Sequence, residues 1–324
     1  MGTFGGRRAV ERAAALAAGS LVLASLAASL TGCTGALDQA HSVQTRLNRI
    51  DEVSSADVST PSADTGAAIT VTYADAGSVR ELTRLIAAVD GVAEEEDYPS
   101  YRLDLVPADG PSDRLTVDDS FTGSADEEAV LANWFATTAA LLGDVHYRFE
   151  PGEESIELDS SAGILHDVSE ASRIGYGFDG TVWTFRAGES AFVVSGRVSP
   201  TDVALFQTTE RTVSSEVLPA PASAWRLERR DGHVLLDLDV AFGTGPVPPE
   251  RLTIQRYGDD VERLAGAAIG AVRLAGLPAS LRLVNPVPDR TDVFGYWASD
   301  ARPVRGRDPL LRGWDLWLVG LAKA

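Results

Sequence analysis

The sequence has few of the residues on which covalent and metal chemistry depend. Among 324 residues there are one cysteine, Cys33, one methionine and four histidines. One cysteine cannot form a disulfide within the chain, and it cannot build a cysteine-type zinc site. Lys323 is the only lysine among 28 basic residues and is next to last, which excludes a Ser-x-x-Lys nucleophile. The arginine bias favours a GC-rich genome, such as that of an actinobacterium.

Positive charge is also scarce. The 47 acidic residues outnumber the basic ones, and the formal net charge is −19. So acidic a surface repels phosphate backbones, which argues against nucleic acid as a partner. With 44% hydrophobic residues the chain can bury a sizeable core, and its length allows two or three small domains.

The first 33 residues have the layout of an export signal. Arg7, Arg8 and Arg12 form a basic region, and Ala13–Leu30 is an apolar run of mostly alanine, leucine and valine. This order is typical of a secretory signal peptide and not of a folded element. Small residues then precede the only cysteine, in the order Leu30-Thr31-Gly32-Cys33.

The motif Leu30-Thr31-Gly32-Cys33 resembles the lipobox of bacterial lipoproteins. The resemblance implies that signal peptidase recognises Leu30, Thr31 and Gly32, that the Cys33 thiol carries diacylglycerol, and that cleavage makes Cys33 the mature N-terminus. Two or three acyl chains, at about 0.8 kcal/mol per buried methylene, then hold the protein on the extracytoplasmic face of the cell membrane. The resemblance predicts the cellular location and the membrane anchor. It does not identify the molecule on which the rest of the chain acts.

Two other interpretations of this segment stay open, an uncleaved membrane anchor and a buried helix. A stable span needs about 20 strongly apolar residues, whereas glycine and serine dilute this run at Gly19, Ser20, Ser25 and Ser29. The signal interpretation is therefore favoured. The pair Arg7-Arg8 also suits twin-arginine export, but its neighbours lack the rest of that pattern, which favours the ordinary secretory route.

From residue 66 onward a helix–strand–strand repeat recurs. Ser78 followed by Glu81, and Ser124 followed by Glu127, are capping boxes that predict helix starts. Each predicted helix precedes two strand segments joined by a turn, as at Pro107-Ala108-Asp109-Gly110-Pro111. Helix starts predicted near residues 36, 78, 125, 164, 200 and 258 give up to six repeats.

Two such repeats can close a four-stranded antiparallel sheet with two helices on one face. The predicted fold class is α+β, with tandem two-layer α/β sandwich modules, an architecture that loosely resembles small periplasmic modules such as BON domains. The expected organisation is a signal peptide (1–32), a lipidated N-terminus and tether with a possible first helix (33–65), three α/β modules (66–120, 121–198 and 199–302) and an apolar C-terminal segment (303–324).

Alternation along the strands predicts that one face of each sheet is solvated. In 233–240 the apolar residues alternate with His233, Asp237 and Asp239, and in 101–105 they alternate with Arg102 and Asp104.

The last segment departs from the pattern. Residues 310–321 form an apolar run that is too short to span a membrane. The alternation of Trp314, Leu316 and Leu318 predicts a final strand, and a helix completing the last core is a variant of the same interpretation. A docking or membrane-contact segment is the alternative.

Catalytic motifs are mostly absent. Gly175-Tyr176-Gly177-Phe178-Asp179-Gly180 has the letters of a dinucleotide-binding loop, but it leads into a predicted strand at 181–186 and not into a helix that could bind a pyrophosphate. A turn entering a hairpin is favoured. His166-Asp167 with Ser160-Ser161 stays open as a hydrolase triad, although no G-x-S-x-G elbow supports it.

Acidic residues are plentiful but lack a catalytic context. The pairs Asp118-Asp119, Glu157/Asp159 and Asp237/Asp239 suggest a glycosidase, which needs one acid in an apolar pocket. The last two pairs lie instead on predicted solvated faces. Glu94-Glu95-Glu96-Asp97, or Asp109 with Asp113, could gather calcium weakly, without an EF-hand loop. We therefore predict no catalytic, cofactor-binding or metal site.

The sequence favours a lipid-anchored, non-enzymatic envelope protein that presents modular surfaces to a protein or an envelope polymer. Its membrane partner is expected to be lipid, through Cys33, and no cofactor is expected. Two alternatives stay open: an envelope hydrolase with a site between modules, and the solute-binding lipoprotein of a transporter. The latter usually needs two larger lobes around a cleft, and the short hairpin-rich repeats argue against it.

Overall fold

A computed structural model describes residues 35–61, 66–74, 77–110, 112–213, 222–240, 242, 247–287, 290–301 and 308–324. Contacts separate them into two compact units. The first comprises the described residues up to 110 together with 116–128, and the second comprises 112–115 and the described residues from 129 onward. Within these ranges no helix combines the length and the apolar character needed to cross a bilayer.

The described chain alternates single helices with pairs of strands. The helices are α1 (35–47), α2 (Val79–Glu95), α3 (Ala125–Ala140), α4 (Ile164–Ile174), α5 (Pro200–Val213), α6 (Ile254–Arg273) and α7 (Pro309–Leu321). The strands are β1 (Val53–Val58), β2 (Ala67–Tyr73), β3 (Tyr101–Pro107), β4 (Arg114–Asp118), β5 (Asp144–Glu150), β6 (Glu153–Asp159), β7 (Thr181–Ala187), β8 (Ser190–Ser195), β9 (Ala222–Arg230), β10 (His233–Val240), β11 (Ala279–Val287) and β12 (Arg290–Ala298). The chain thus runs through six helix–strand–strand repeats, as predicted, and α7 follows the last.

The strands form a mixed sheet in which hydrogen-bonded neighbours follow chain order. The two strands of one repeat pair antiparallel, as in β5–β6, β7–β8, β9–β10 and β11–β12. Strands of successive repeats pair parallel, as in β2–β3, β6–β7, β8–β9 and β10–β11. The parallel pairs correct the prediction of antiparallel sheets. Their cause is the helix between repeats, since a helical crossover returns the chain in the same direction.

One hydrogen bond of each predicted capping box is present. Ser78 Oγ accepts the Glu81 N–H at 3.3 Å at the start of α2, and Glu127 Oε2 accepts the Ser124 N–H at 2.6 Å at the start of α3. A glycine often marks the end of a helix, and Gly91 would predict that α2 ends there, but the helix continues past it. The helix runs on to Glu95 because Ala93 still contributes a buried side chain.

Aromatic side chains line the core of the second unit. Trp183 stacks on Phe185 with ring centroids 5.9 Å apart, and Phe192 lies 5.4 Å from Phe206 of α5. All four are fully buried. Hydrophobic burial of such rings is the main stabilising contribution to the sheet and helices around them.

The solvated-face prediction holds only in part. In β3, Asp104 is 3% exposed and accepts a hydrogen bond from Thr116 Oγ1 at 2.7 Å, so its predicted solvation is wrong. In β10, Asp237 is partly buried and bonds Arg282 Nε of β11 at 2.6 Å. The polar partners of these two carboxylates come from neighbouring strands. The alternation of residues along one strand cannot reveal them.

A buried ion pair ties α5 to the strands. Asp202 Oδ1 accepts Arg229 Nε of β9 at 2.7 Å, and the Asp202 side chain is 4% exposed. Its second oxygen accepts the Ser199 N–H at 2.8 Å, just before α5 begins. Arg229 Nη1 also donates to the Ser195 carbonyl at 2.6 Å. One guanidinium therefore joins α5, β8 and β9.

Residues 309–321 form a helix, α7, so the predicted final strand is wrong. Asp308 accepts the Leu310 N–H at 2.8 Å and Pro309 opens the helix, which is the usual chemistry of a helix start. Trp314 and Leu318, four residues apart, are fully buried, whereas Leu316 is 53% exposed. In this short run the alternation suggests a strand and the spacing of four suggests a helix. The helix-start residues Asp308 and Pro309 distinguish the two in favour of the helix.

Side chains of the first and last described helical segments cover the two strands that end the strand order. In β1, the Ala56 N–H donates to Asn48 Oδ1, and its carbonyl accepts Gln44 Nε2, both at 2.9 Å. In β12, the Tyr296 N–H donates to Asp315 Oδ1 of α7 at 2.8 Å. In a bare edge strand these backbone groups are available for pairing with another chain.

Candidate functional site

A buried carboxylate lies at the start of β6. Strand alternation places Glu154 on the same side as Ile156 and Leu158, and Glu154 is 1% exposed. A carboxylate in such a place is unfavourable unless hydrogen-bond donors replace the water that it loses. Its neighbours therefore determine its chemistry.

Three hydroxyl groups converge on Glu154. Thr181 of β7 donates to Oε2 at 2.5 Å, Tyr176 donates to Oε1 at 3.1 Å, and Tyr147 of β5 donates to Oε1 as well. The Tyr147 hydroxyl in turn accepts Asn133 Nδ2 of α3 at 2.9 Å. The result is a continuous polar network within the second unit, from α3 through β5 and β6 to β7.

The glycine-rich loop 175–180 brings Tyr176 to this network. Gly175 ends α4 in the left-handed conformation, with φ of 65°. A Cβ on Gly177, whose φ is 141°, would lie 2.8 Å from the Cα of Arg197, so only glycine fits there. The loop enters β7 directly, which confirms the predicted turn before a strand and leaves no following helix start for a pyrophosphate.

Burial raises the pKa of Glu154, and the hydroxyls of Thr181, Tyr147 and Tyr176 offset this only in part. Burial and the charge of Glu154 also raise the pKa of Tyr147 and of Tyr176, so both phenols stay protonated and remain donors. The hydroxyl groups of the network therefore keep their protons, and Glu154 is its carboxyl group, with a pKa above the usual value.

We expect Glu154→Gln to change how stability depends on pH. Because the pKa of Glu154 is raised in the folded state, its favourable contribution is complete below the usual pKa of glutamate and is lost as pH rises through the folded pKa. Glutamine stays neutral. The free energy of unfolding of the variant, minus that of the wild type, should therefore increase from acid to neutral pH in urea titrations.

The control is Glu262→Gln, since Glu262 is exposed on α6. The free energy of unfolding of Glu262→Gln, minus that of the wild type, should not increase in the same way from acid to neutral pH. Parallel curves for wild type and Glu154→Gln over the whole range would contradict a raised pKa for Glu154.

A cavity of about 180 Å³ adjoins the network. Ligand sites for drug-sized molecules usually enclose about 300–1,000 Å³, so this cavity admits a group of side-chain size. Within it Glu150 is already bonded to Arg148, Nε to Oε1 at 3.0 Å. The lining residues are Arg148, Glu150, Glu153, Glu154, Ser155 and Val182. The arrangement is a structural polar network beside a small cavity.

The residues predicted for lipidation and cleavage, Cys33 with Leu30, Thr31 and Gly32, lie outside the described residues, as does the predicted signal peptide.

The hydrolase triad considered from the sequence is not assembled by the hydrogen bonds found. His166 Nδ1 lies 3.2 Å from Asp167 Oδ1, and that oxygen also accepts the Leu142 N–H at 3.3 Å. Ser161 Oγ donates to the Leu142 carbonyl at 2.5 Å, and not to His166. These contacts fasten α4 to the segment after α3.

Several of the acidic groups singled out from the sequence have local partners. Glu157 pairs with Arg186 at 3.2 Å, and Asp237 pairs with Arg282. Burial, followed by the charges of Asp237 and Glu189, raises the pKa of Asp239. The candidate calcium ligands Glu95 and Glu96 pair with Arg46, and Asp113 Oδ1 accepts the Val145 N–H at 2.9 Å. In the described ranges no three His, Cys, Asp or Glu side chains are grouped so that they could hold a metal ion.

Sequence reasoning missed Glu154, because Pro151-Gly152-Glu153-Glu154 is typical of a hairpin turn and predicts a solvated side chain there. A signal was present: Glu154, Ile156 and Leu158 share the period of two that marks the buried side of a strand. The partners Tyr147 and Tyr176 could not have been found in this way, because they come from another strand and from a loop.

No protein-family model matches this chain, and neither a curated protein nor a solved structure does. Its function therefore has to be argued from its own residues.

Proposed function

We propose that this chain is a lipid-anchored lipoprotein of the cell envelope with a non-enzymatic binding or structural role. Acyl chains on Cys33 hold it to the extracytoplasmic face of the membrane, and its α/β modules face a protein or an envelope polymer. The observation that carries the proposal is Leu30-Thr31-Gly32-Cys33 directly behind a basic and apolar leader.

The contacts of the candidate catalytic groups support a non-enzymatic role. Ser161 and Asp167 are engaged in bonds to the backbone of Leu142, and Asp237 is neutralised by Arg282. The buried acid Glu154 is surrounded by hydroxyl donors and adjoins a cavity of about 180 Å³, which is below the usual range for drug-sized ligands. These contacts within the fold explain the positions of Ser161, Asp237 and Glu154.

We further propose that the repeats build two layers, with the helices on one side of the strands. Contacts between successive helices support this, because α4 contacts α5, α5 contacts α6, and α6 contacts α7. The alternation of buried residues in β10, where Val234 to Val240 are buried at every second position, supports it as well. Tandem modules of this kind expose strand faces and loops for binding.

Replacing Cys33 by serine tests the anchor. The hydroxyl cannot take the thioether-linked lipid, so we expect an unprocessed precursor or release of the protein into the medium, while the fold is retained. The measurement is membrane fractionation of the native organism, with mass spectrometry of the mature N-terminus.

Thr34→Ala is the matched control, because it changes the next residue and leaves the thiol in place. It should stay in the membrane fraction with an acylated Cys33. An unmodified Cys33 on an intact wild-type N-terminus would overturn the proposal.

A further inference from the structure

The C-terminal segment of this acidic chain is basic. Residues 301–324 contain five basic and two acidic residues, although the chain as a whole carries −19. One of the two acids, Asp315, is buried and bonded to β12. In the stretch 264–280, Arg273 is the only charged residue. Around the C-terminal ends of α6 and α7, in 264–280 and 316–324, the charged residues are Arg273 and Lys323, and both are basic.

Helices α6 and α7 lie side by side and run in the same direction. At their beginnings, a Cβ on Gly313 would lie 3.7 Å from Ile254 Cδ1. At their ends, Arg273 Nη1 donates to the Ala322 carbonyl at 2.8 Å. The C-terminal ends of the two helices therefore meet.

Two of the most exposed large apolar side chains of the described residues lie on these helices. Leu274, just after α6, is 76% exposed, and Leu316 of α7 is 53% exposed. Arg312 and Leu316 are four residues apart and share the exposed side of α7, opposite buried Trp314. Lys323 follows at the end of the same side. We call Arg273, Leu274, Arg312, Leu316 and Lys323 the C-terminal patch.

We propose that the C-terminal patch contacts anionic phospholipid of the membrane to which Cys33 anchors the chain. Exposed leucines beside arginine and lysine on a helix are the combination that lies in the interface of a bilayer. Charge complementarity selects anionic headgroups. The acidic remainder of the surface does not cancel this attraction, since charges more than about 8 Å away are largely screened at physiological salt.

This inference rests on the proposed function, because the anchor brings the patch to the bilayer. The acyl chains supply the attachment, and the patch sets the orientation. The acidic surfaces elsewhere are repelled by the same lipids, so one side of the second unit faces the membrane and the others face the partner.

The test uses the full lipoprotein with Cys33 acylated, in which Leu316→Cys supplies the free thiol for an environment-sensitive fluorophore. The protein is reconstituted into vesicles of phosphatidylglycerol with phosphatidylethanolamine, or of phosphatidylcholine alone, each containing brominated lipid as quencher. We expect blue-shifted, quenched emission in the anionic vesicles and neither change in phosphatidylcholine. Replacing Arg312 and Lys323 by glutamine should weaken docking about 25-fold, at about fivefold for each charge, and added salt should act in the same direction.

The control label is at Leu142→Cys, a position that is 60% exposed in the same unit. It should not be quenched in either vesicle. Equal quenching at both positions, equal quenching in both lipids, or no quenching at Leu316→Cys would each overturn the docking. If the label became buried in detergent as the protein concentration rose, the patch would bind a second copy of the chain and not lipid. If the label became buried only when an acidic protein was added, the patch would bind that protein and not lipid. Mass spectrometry of Cys33 in the same sample tests the anchor separately.

Discussion

Arg229→Ala should lower the free energy of unfolding by about 3–5 kcal/mol, the usual cost of removing one partner from a buried ion pair. The Asp202 side chain is only 4% exposed, so its charge cannot be rehydrated where it lies. The variant also loses the donor to the Ser195 carbonyl. Urea denaturation followed by circular dichroism measures the loss.

A double variant separates the ion pair from simple packing. In Asp202→Asn/Arg229→Met the charge is removed from both sides and most of the arginine stem is kept. We expect this variant to be more stable than Arg229→Ala, because no unpaired charge remains buried. A double variant as unstable as Arg229→Ala, or an Arg229→Ala loss below about 1 kcal/mol, as is typical of exposed pairs, would show that the pair is not buried in solution.

Trp314→Ala should also cost about 3–5 kcal/mol, the range for truncating a large aromatic core residue. Trp314 is fully buried, and its ring centroid lies 5.1 Å from Phe294 of β12 and 5.2 Å from Trp317. Its Nε1 donates to the Leu252 carbonyl at 2.7 Å, and that buried carbonyl loses its donor in the variant. Thermal and urea unfolding give the change.

Leu316→Ala is the matched control on the same helix. Leu316 is largely exposed, so its truncation should stay within about 0.5 kcal/mol of the wild type. The free energy of unfolding of Trp314→Phe should lie between those of Trp314→Ala and Leu316→Ala, since phenylalanine keeps a ring and loses the N–H. If Trp314→Ala and Leu316→Ala were equally mild, α7 would not be part of the folded core.

Local signals in the sequence predicted much of the element order. The capping boxes at Ser78 and Ser124 mark helix starts in the structure, and the six repeats follow the predicted spacing. A cap is a contact within four residues, so one segment contains all the information. Strand direction between repeats was predicted wrongly, because it depends on how a helix crosses between strands that are far apart in sequence.

The polar network around Glu154 shows the same limit. Its members come from α3, β5, β6, the loop 175–180 and β7, and periodicity could have indicated only that Glu154 is buried. The prediction of a strand in the C-terminal apolar run was wrong for another reason. A segment of twelve residues satisfies both the period of two and the spacing of four, and only Asp308 with Pro309 distinguishes them.

The covered backbone of β1 and β12 bears on how this protein can assemble. To add another strand beside Ala56, an incoming chain must displace Gln44 and Asn48, and beside Tyr296 it must displace the buried carboxylate of Asp315. Strand addition at these two positions is thereby discouraged. For the proposed function, we therefore expect a partner to bind through loops, helices or strand faces.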